Sequence, residues 1–387
     1  MRLTSVVAES VRVGNLRFSK GEWTDVPSEL LHYFLAEECP YLLREERCIG
    51  LYHVRYTGDK RQKFVFDDGG DKCTINAVSG GDYAVRRHDA ARLLRRQDFI
   101  HTPPSDLLPA CDSVVIIRHG GLGDVLLSMP MVRQLKATYP KLVVDYATSN
   151  QFMEIPRRVG GCGQVWDVGE VYEQAGYDAV FDVRMLVEAA QDSSSVHRSD
   201  IFARRLELTL DSYAMPYSVT DTEREEARAL IGSVKHPVVG VQVAGSIGMR
   251  TPSVEKMEEI VSALDCTCVM LDHRADDRWD GEVNLTGRLT VPQLFAVVSE
   301  CDAVLAGDSG VLHVSNSVGT PVVGLFGSVS AGLRVKDQPN CTTIQCNEFS
   351  GCPDCNDHQF NRCTDPSGCL DAVPTDLVVN SVRALLY

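Results

Sequence analysis

The stretch CDAVLAGDSGVLHVSNSVGTPVVGLFGSVS, residues 301–330, carries the reading of the whole chain. An apolar run from Ala303 stops at Gly307-Asp308-Ser309-Gly310. Apolar residues then recur at helical spacing to Val318, Gly319-Thr320-Pro321 breaks the pattern, and a second apolar run ends at Phe326-Gly327-Ser328. Strand, tight turn, amphipathic helix and strand make a βαβ unit, whose strands lie parallel and buried on both faces. The turn itself has a chemistry. Backbone N–H groups of the new helix, the Ser309 hydroxyl and Gly310 converge on one point, which suits an anion. A plainer reading makes Asp308 a helix cap and His313 a core histidine.

The same alternation extends outward in both directions. From Ser113, strand 114–118 precedes helix 123–138; KLVVDYAT (141–148) is a strand, followed by a helix near 150–159 and short strands QVWDV and AVFDVR. After the polar helix of DTEREEARALIGS, near 221–236, the pattern restarts at Pro237 with VVGVQVAGS. Helix 253–264, strand CTCVMLD and helix 291–300 lead back to the opening stretch. Apolar strands alternating with amphipathic helices, twice over, predict two doubly wound α/β domains facing a cleft, with ligands at the C-terminal ends of the strands. Their expected limits are 111–235 and 236–387.

Residues 1–110 read differently, as a small α+β domain. A strand and helix fall within residues 11–37, KFVFDDGGDKCTINAV is a strand-turn-strand, and HDAARLLRRQDF is a helix. The paired prolines of IHTPPSDLLPACD mark a linker. Arg86, Arg87, Arg92, Arg95 and Arg96 form a basic cluster, either a solvated face or a surface for the acceptor or a partner.

Bulk composition bounds the function. The 387 residues are 44% hydrophobic and 24% charged, as in ordinary water-soluble domains. No apolar run approaches the roughly 20 residues of a membrane span. The N-terminus lacks the apolar core of a secretory signal, so a cytoplasmic protein is expected. Residues 1–110 carry 16 Lys+Arg against 16 Asp+Glu, leaving 22 against 37 in residues 111–387. That acidic body argues against nucleic acid as a partner. It leaves room for a local basic pocket and for peripheral association with a membrane.

The other glycine-rich turn lies in VVIIRHGGLGDVLLSMP, residues 114–130. Gly121-Leu122-Gly123 begins a dinucleotide fingerprint, with Asp145 near the place of a ribose-binding acid, but the third glycine position is Leu126. A tight turn with Asp124 as a helix-terminal acid is the simpler structural reading. Of the 14 cysteines, Cys341, Cys346, Cys352, Cys355, Cys363 and Cys369 cluster near the C-terminus. Cys352-x2-Cys355 with Cys363 and Cys369 has the ligand chemistry of a tetrahedral structural zinc site; reduced thiols or a bridge are the alternatives.

AGDSGVLHVSNSVGTPVVGLFG resembles the signature of the heptosyltransferase-like glycosyltransferases, glycosyltransferase family 9, and Gly123-Asp124 with Pro130 resembles that family's N-terminal turn. VVGVQVAGSIGMRTPSVEKMEEIVSAL is similar to a third block, so the resemblance spans residues 113–385. It implies a GT-B fold and inverting, metal-independent transfer from a nucleotide sugar, ADP-heptose by default. The implied acceptor is a bacterial surface glycan or lipopolysaccharide core. It also implies Asp124 as general base, Arg250 as the cation for the leaving diphosphate, and Ser246, Ser309 and Gly310 as phosphate donors. Asp308 and His313 are the implied donor-side pair, and Gly120, Gly121 and Gly123 would let the acceptor approach the backbone. A Cys-rich loop before the last helix belongs to the same resemblance. Ser309, Val311 and Gly307 depart from the usual Thr, Pro and Thr/Ser, and Asp276 and Asp277 align only loosely with a nucleoside-binding acid. The departures leave the donor sugar open. Alternative readings are a GT-B nucleotide-sugar epimerase, a transferase acting on a modified nucleobase or a protein, and a non-catalytic assembly protein.

Overall fold

The computed structural model describes residues 51–387 except 69–70, 87–92, 95, 97, 172–175, 185, 191, 244–249, 251, 280–282 and 352–368; within residues 1–50 it describes the backbone of five short strands. Parallel sheets organise the rest. The first contains β6 (Ser113–Ile117), β7 (Val143–Thr148), β8 (Val165–Asp167) and β9 (Ala179–Asp182), in the order β8-β7-β6-β9. All its pairings are parallel, with Val115 opposite Asp145 on one side and Val180 on the other. β6 feeds α1 (Leu122–Thr138), and α2 (Arg198–Arg205) packs beside α1.

Why both faces of β6 are apolar becomes clear from what covers them. Successive side chains of a strand point to opposite faces. Val114 and Ile116 join the core beneath α1, with Leu126, Met129 and Phe202. Val115 and Ile117 join a different core, together with Val54, Tyr56, Phe64, Ile75, Val85 and Phe99. Those residues come from β1 (Leu51–Tyr56), β2 (Gln62–Asp68), β3 (Asp71–Ala77), β4 (Asp82–Arg86) and β5 (Phe99–His101), which form a three-stranded sheet, β5-β1-β4, and a hairpin, β2-β3. Phe64, Tyr56 and Phe99 pack edge to face or tilted against one another, with ring centroids 5.0 to 5.8 Å apart. Residues 51–101 are therefore the second cover of the first sheet, built of strands where helices were expected. The hairpin predicted from residues 63–78 is present, with Phe64 opposite Ile75. The predicted linker is not free: Phe99–His101 pairs with β1, and the Thr102 N–H donates to the His53 carbonyl at 3.0 Å. Most of the arginine cluster lies outside the described side chains; Arg96 is paired with Asp98 at 3.0 Å.

α3 (Asp221–Ile231), opened by a Thr220/Glu223 capping box, belongs by its contacts with the second unit. It lies on α5 (Val291–Ser299), Tyr217 stacks on Phe295 with centroids 3.8 Å apart, and Arg224 pairs with Glu300 at 3.0 Å. The second sheet comprises β10 (Val238–Gln242), β11 (Thr267–Leu271), β12 (Val283–Asn284), β13 (Ala303–Gly307), β14 (Val322–Phe326) and β15 (Cys341–Gln345). Its order is β12-β11-β10-β13-β14-β15, and every pairing is parallel. α5 and α6 (Gly310–Val318) line one face; α4 (Val254–Ala263) and α7 (Thr375–Leu386) line the other. No described helix is long and apolar enough to cross a membrane.

Candidate active site

In each sheet, chain order reverses beside the first strand, so a crevice opens at the C-terminal ends of β6/β9 and of β10/β13. The two crevices face each other through the helices that start there. A Cβ on Gly123 would lie 2.9 Å from His313 Cδ2, and one on Gly310 would lie 2.9 Å from Leu122 Cδ2. The glycine-rich turn at 120–124 and the turn at 307–313, distant in sequence, thus meet at helix N-termini. Gly123 presents its bare face to His313 of the other unit. Gly120, at φ +145°, lies against the Asp124 carboxylate and Arg118, each within 3.4 Å of where a Cβ would stand.

Asp124 occupies the third position of α1 and accepts the Gly121 N–H at 3.3 Å, so it is a capping acid. It is more than that. Arg118 Nη2 lies 3.2 Å and Arg198 Nη1 2.7 Å from its Oδ1, while its side chain keeps 22% of its surface exposed. Burial alone would raise its pKa; the guanidiniums of Arg118 and Arg198 outweigh burial and hold the carboxyl far below the ordinary range. Arg118 is itself fixed. Its Nη1 donates to the Arg184 carbonyl at the end of β9, and its guanidinium lies 5.3 Å over the Phe202 ring.

Across the cleft, Asp308 is almost fully buried, with Arg334 Nε 3.3 Å from Oδ1 and Arg250 Nε 3.8 Å from Oδ2. Here too burial pushes the carboxyl up, and Arg334 and Arg250 reverse it, leaving Asp308 ionised. Arg334 is 1% exposed and is pushed down to about 10 by burial and by Arg198. Its loop is fastened by Gln345, whose Nε2 donates to the Gly327 carbonyl at 2.9 Å and whose Oε1 accepts the Ala331 N–H at 3.1 Å. Burial lowers His313 to about 4, so it is neutral at pH 7, and its Nδ1 has no hydrogen-bond partner among the described residues. The Ser309 hydroxyl donates to Gln242 Oε1 at 2.5 Å, and the Gly307 N–H donates to the same oxygen at 3.1 Å. Gln242 thereby ties β10 to the turn after β13 across the crevice.

The sequence-derived set therefore comes together from both units: Gly120, Gly121, Gly123 and Asp124 on one side, and Arg250, Asp308, Ser309, Gly310 and His313 on the other. Ser246 lies outside the described residues, as do Cys352, Cys355 and Cys363; Cys369 is half-buried at the start of a short helical turn. Asp145 is excluded as a ribose ligand, because it points to the opposite face of its sheet and accepts from Tyr177 Oη at 2.5 Å and the Gln164 N–H at 2.7 Å. Asp276 is paired with Arg278 at 2.7 Å. Arg118, Arg198 and Arg334 escaped the sequence reading, since arginine is by default a solvated residue and only packing distinguishes these three. The one available signal was position: Arg118 directly follows an apolar strand.

Two nucleotide-type crevices built on facing parallel sheets define the GT-B class of glycosyltransferase fold. Solved structures share it. The iron-containing dodecameric glycosyltransferase TibC from enterotoxigenic E. coli matches with a TM-score of 0.57 at 15% identity, over 89% of this chain and 94% of its own. E. coli ADP-heptose lipopolysaccharide heptosyltransferase II matches with a TM-score of 0.54 at 15% identity, over 71% and 98%. The TibC match reaches into residues 1–110, because residues 111–387 alone make up less than three quarters of the chain. More particularly, residues 161–349 match the model of glycosyltransferase family 9 (heptosyltransferase), a span of just under half of the chain. A 43-residue segment is 44% identical to the lipopolysaccharide core heptosyltransferase OpsX of Haemophilus influenzae, covering 11% of this chain and 12% of that protein's length.

Proposed function

We propose that the protein transfers a sugar, with inversion, from a nucleotide sugar of the ADP-heptose type to a hydroxyl acceptor in a bacterial surface glycan. The observation that carries this reading is the arrangement of an ionised acid, Asp124, held by Arg198 on one side of the cleft, opposite an arginine-rich crevice in which Arg250 and Arg334 flank Asp308. The donor's diphosphate would lie at the ends of β10 and β13, near the start of α6 and those guanidiniums. Asp124 takes the acceptor proton as the hydroxyl oxygen bonds to the anomeric carbon from the face opposite the diphosphate. The bond from that carbon to the diphosphate oxygen breaks with its electron pair, and the departing charge is met by guanidiniums and helix N–H groups. These supply the positive charge that a metal provides in other sites, which supports a metal-independent transfer. An ADP donor is further supported by TibC, solved in complex with ADP-D-beta-D-heptose.

Binding of ADP-, UDP-, GDP- and CMP-sugars, followed by transfer to lipopolysaccharide core acceptors, tests the reading. Asp124→Asn should lower turnover by about a hundredfold or more while the donor still binds. Undiminished transfer in that variant would refute the assignment. The cysteine-rich segment has a separate, structural role in this reading. Four thiolates suit a tetrahedral metal, zinc or iron, and Cys369 packs at the edge of the core under α7. Metal analysis of purified protein showing under about half an equivalent of either would sink that role.

A further inference from the structure

Arg118, Arg198, Arg250 and Arg334 face Asp124 and Asp308 in one largely buried region, so that among these described groups the guanidiniums exceed the carboxylates by two charges at neutral pH. The neighbouring histidines, His197 and His313, do not add to the charge there, because burial lowers both to about 4. Tyr146, a further titratable group within reach of Asp124, is also uncharged at that pH, its pKa raised by burial. A buried excess of like charge is costly unless an anion compensates it. The arginines are not equivalent in how they are held. Arg118 is tied to the Arg184 carbonyl and stacked on Phe202, whereas Arg198 grips Asp124 through Nη1 with no such second anchor among the described residues; the buried Nε–H of each has no acceptor among them. Arg198 is also the first-unit side chain whose charge reaches Asp308, His313 and Arg334 of the second unit.

We propose that Arg198 is a positioning residue shared between Asp124 and the donor: it holds Asp124 in the unliganded chain and turns to the diphosphate when the nucleotide arrives. The inference rests on the donor-site reading above. Its consequence is an order of events. With Arg198 drawn to the anion, Asp124 keeps only the fixed Arg118 as a charged partner and becomes a better proton acceptor, so the base is activated only after the donor is in place. Premature deprotonation of an acceptor is thereby avoided.

A double-mutant cycle on ADP binding, followed by calorimetry with the full chain, tests this without an acceptor. Arg198→Gln should weaken ADP about tenfold. Asp124→Asn should tighten ADP about three- to tenfold in the presence of Arg198, because the guanidinium no longer has to leave a partner, and should have little effect in the Arg198→Gln background. Simple repulsion between Asp124 and phosphate predicts equal tightening in both backgrounds; that result, or an Arg198→Gln variant with unchanged affinity, overturns the proposal. Should Arg198→Gln fail to give a native circular dichroism spectrum, Arg198→Lys, which keeps the charge without the fork, takes its place and should weaken ADP by a smaller factor. Absence of ADP binding to the unmodified protein would instead overturn the donor reading itself.

Discussion

Gly123→Ala tests whether the spacing of the two units at the cleft depends on a missing side chain. The new Cβ would stand 2.9 Å from His313 Cδ2, 3.6 Å from Nε2 and 3.8 Å from the Gly310 Cα. Carbon atoms in ordinary contact lie about 3.5–4.0 Å apart, so α1 and α6 must separate by about 0.6 Å or more, or His313 must leave its place. His313 is 3% exposed and has no solvent to turn into. Two opposing energies act on stability. Alanine in place of glycine within a helix stabilises by about 1 kcal/mol, and overpacking costs about 1–3 kcal/mol. The net loss should therefore stay below about 2 kcal/mol, a modest shift in urea unfolding. Catalysis is more sensitive, since displacements near 1 Å cost about a hundredfold in rate. Turnover should fall by about ten- to a hundredfold, read as sugar transfer or as donor hydrolysis. Gly310→Ala should act in the same direction, because its Cβ would stand 2.9 Å from Leu122 Cδ2 and 3.1 Å from both Cγ and Cβ of Leu122, and the last of these is fixed to the backbone of α1. A Gly123→Ala protein with full turnover and unchanged unfolding would refute the close contact and the argument built on it.

Stability should also depend on pH with a definite sign. His313 has a folded pKa of about 4 against 6.5 when unfolded, so between those values the unfolded chain binds the extra proton and stability falls as pH falls. His313 alone should cost about 2 kcal/mol at pH 5 relative to pH 7.5, with His197 acting in the same direction. Urea titrations at the two pH values check this, and a His313→Gln variant with an undiminished pH dependence would contradict it. Arg334→Met strands the buried Asp308 with only the more distant Arg250 and should destabilise by about 3–5 kcal/mol, with Asp308→Asn in the same chain recovering part of the loss. Equal unfolding midpoints for Arg334→Met and the parent would count against the ion pair. Removing residues 1–101 uncovers Val115, Ile117, Ala147 and Val180 on the first sheet and should give aggregation or strong binding of a hydrophobic dye. A monodisperse truncated chain of parental melting temperature would show that the β layer is dispensable.

The second unit was legible almost strand by strand. Its short apolar runs, each stopped by a glycine-containing turn, admit few alternatives once helices of the right length lie between them. The first unit was legible in its strands but not in its cover. SVVII at 113–117 announces burial on both faces, yet an apolar face is satisfied equally by helices or by strands, and the strands that fill it come from a segment with its own alternating pattern. Asp124, Asp308 and His313 stood out because acids and histidines at glycine turns are chemically conspicuous. Arg198 lies in a polar stretch, and Arg334 in a loop, where arginine is unremarkable.

By itself, then, the sequence determined the two alternating β/α series, the two glycine turns and the acids beside them, because backbone geometry and the burial of apolar faces act over short spans of chain. Only the tertiary structure decided that His313 fills the bare face of Gly123, that residues 51–101 close the first sheet, and that four arginines meet two aspartates in the cleft. Charge interactions and close packing depend on distances between residues far apart in the chain. No local pattern encodes those distances; the packed fold sets them.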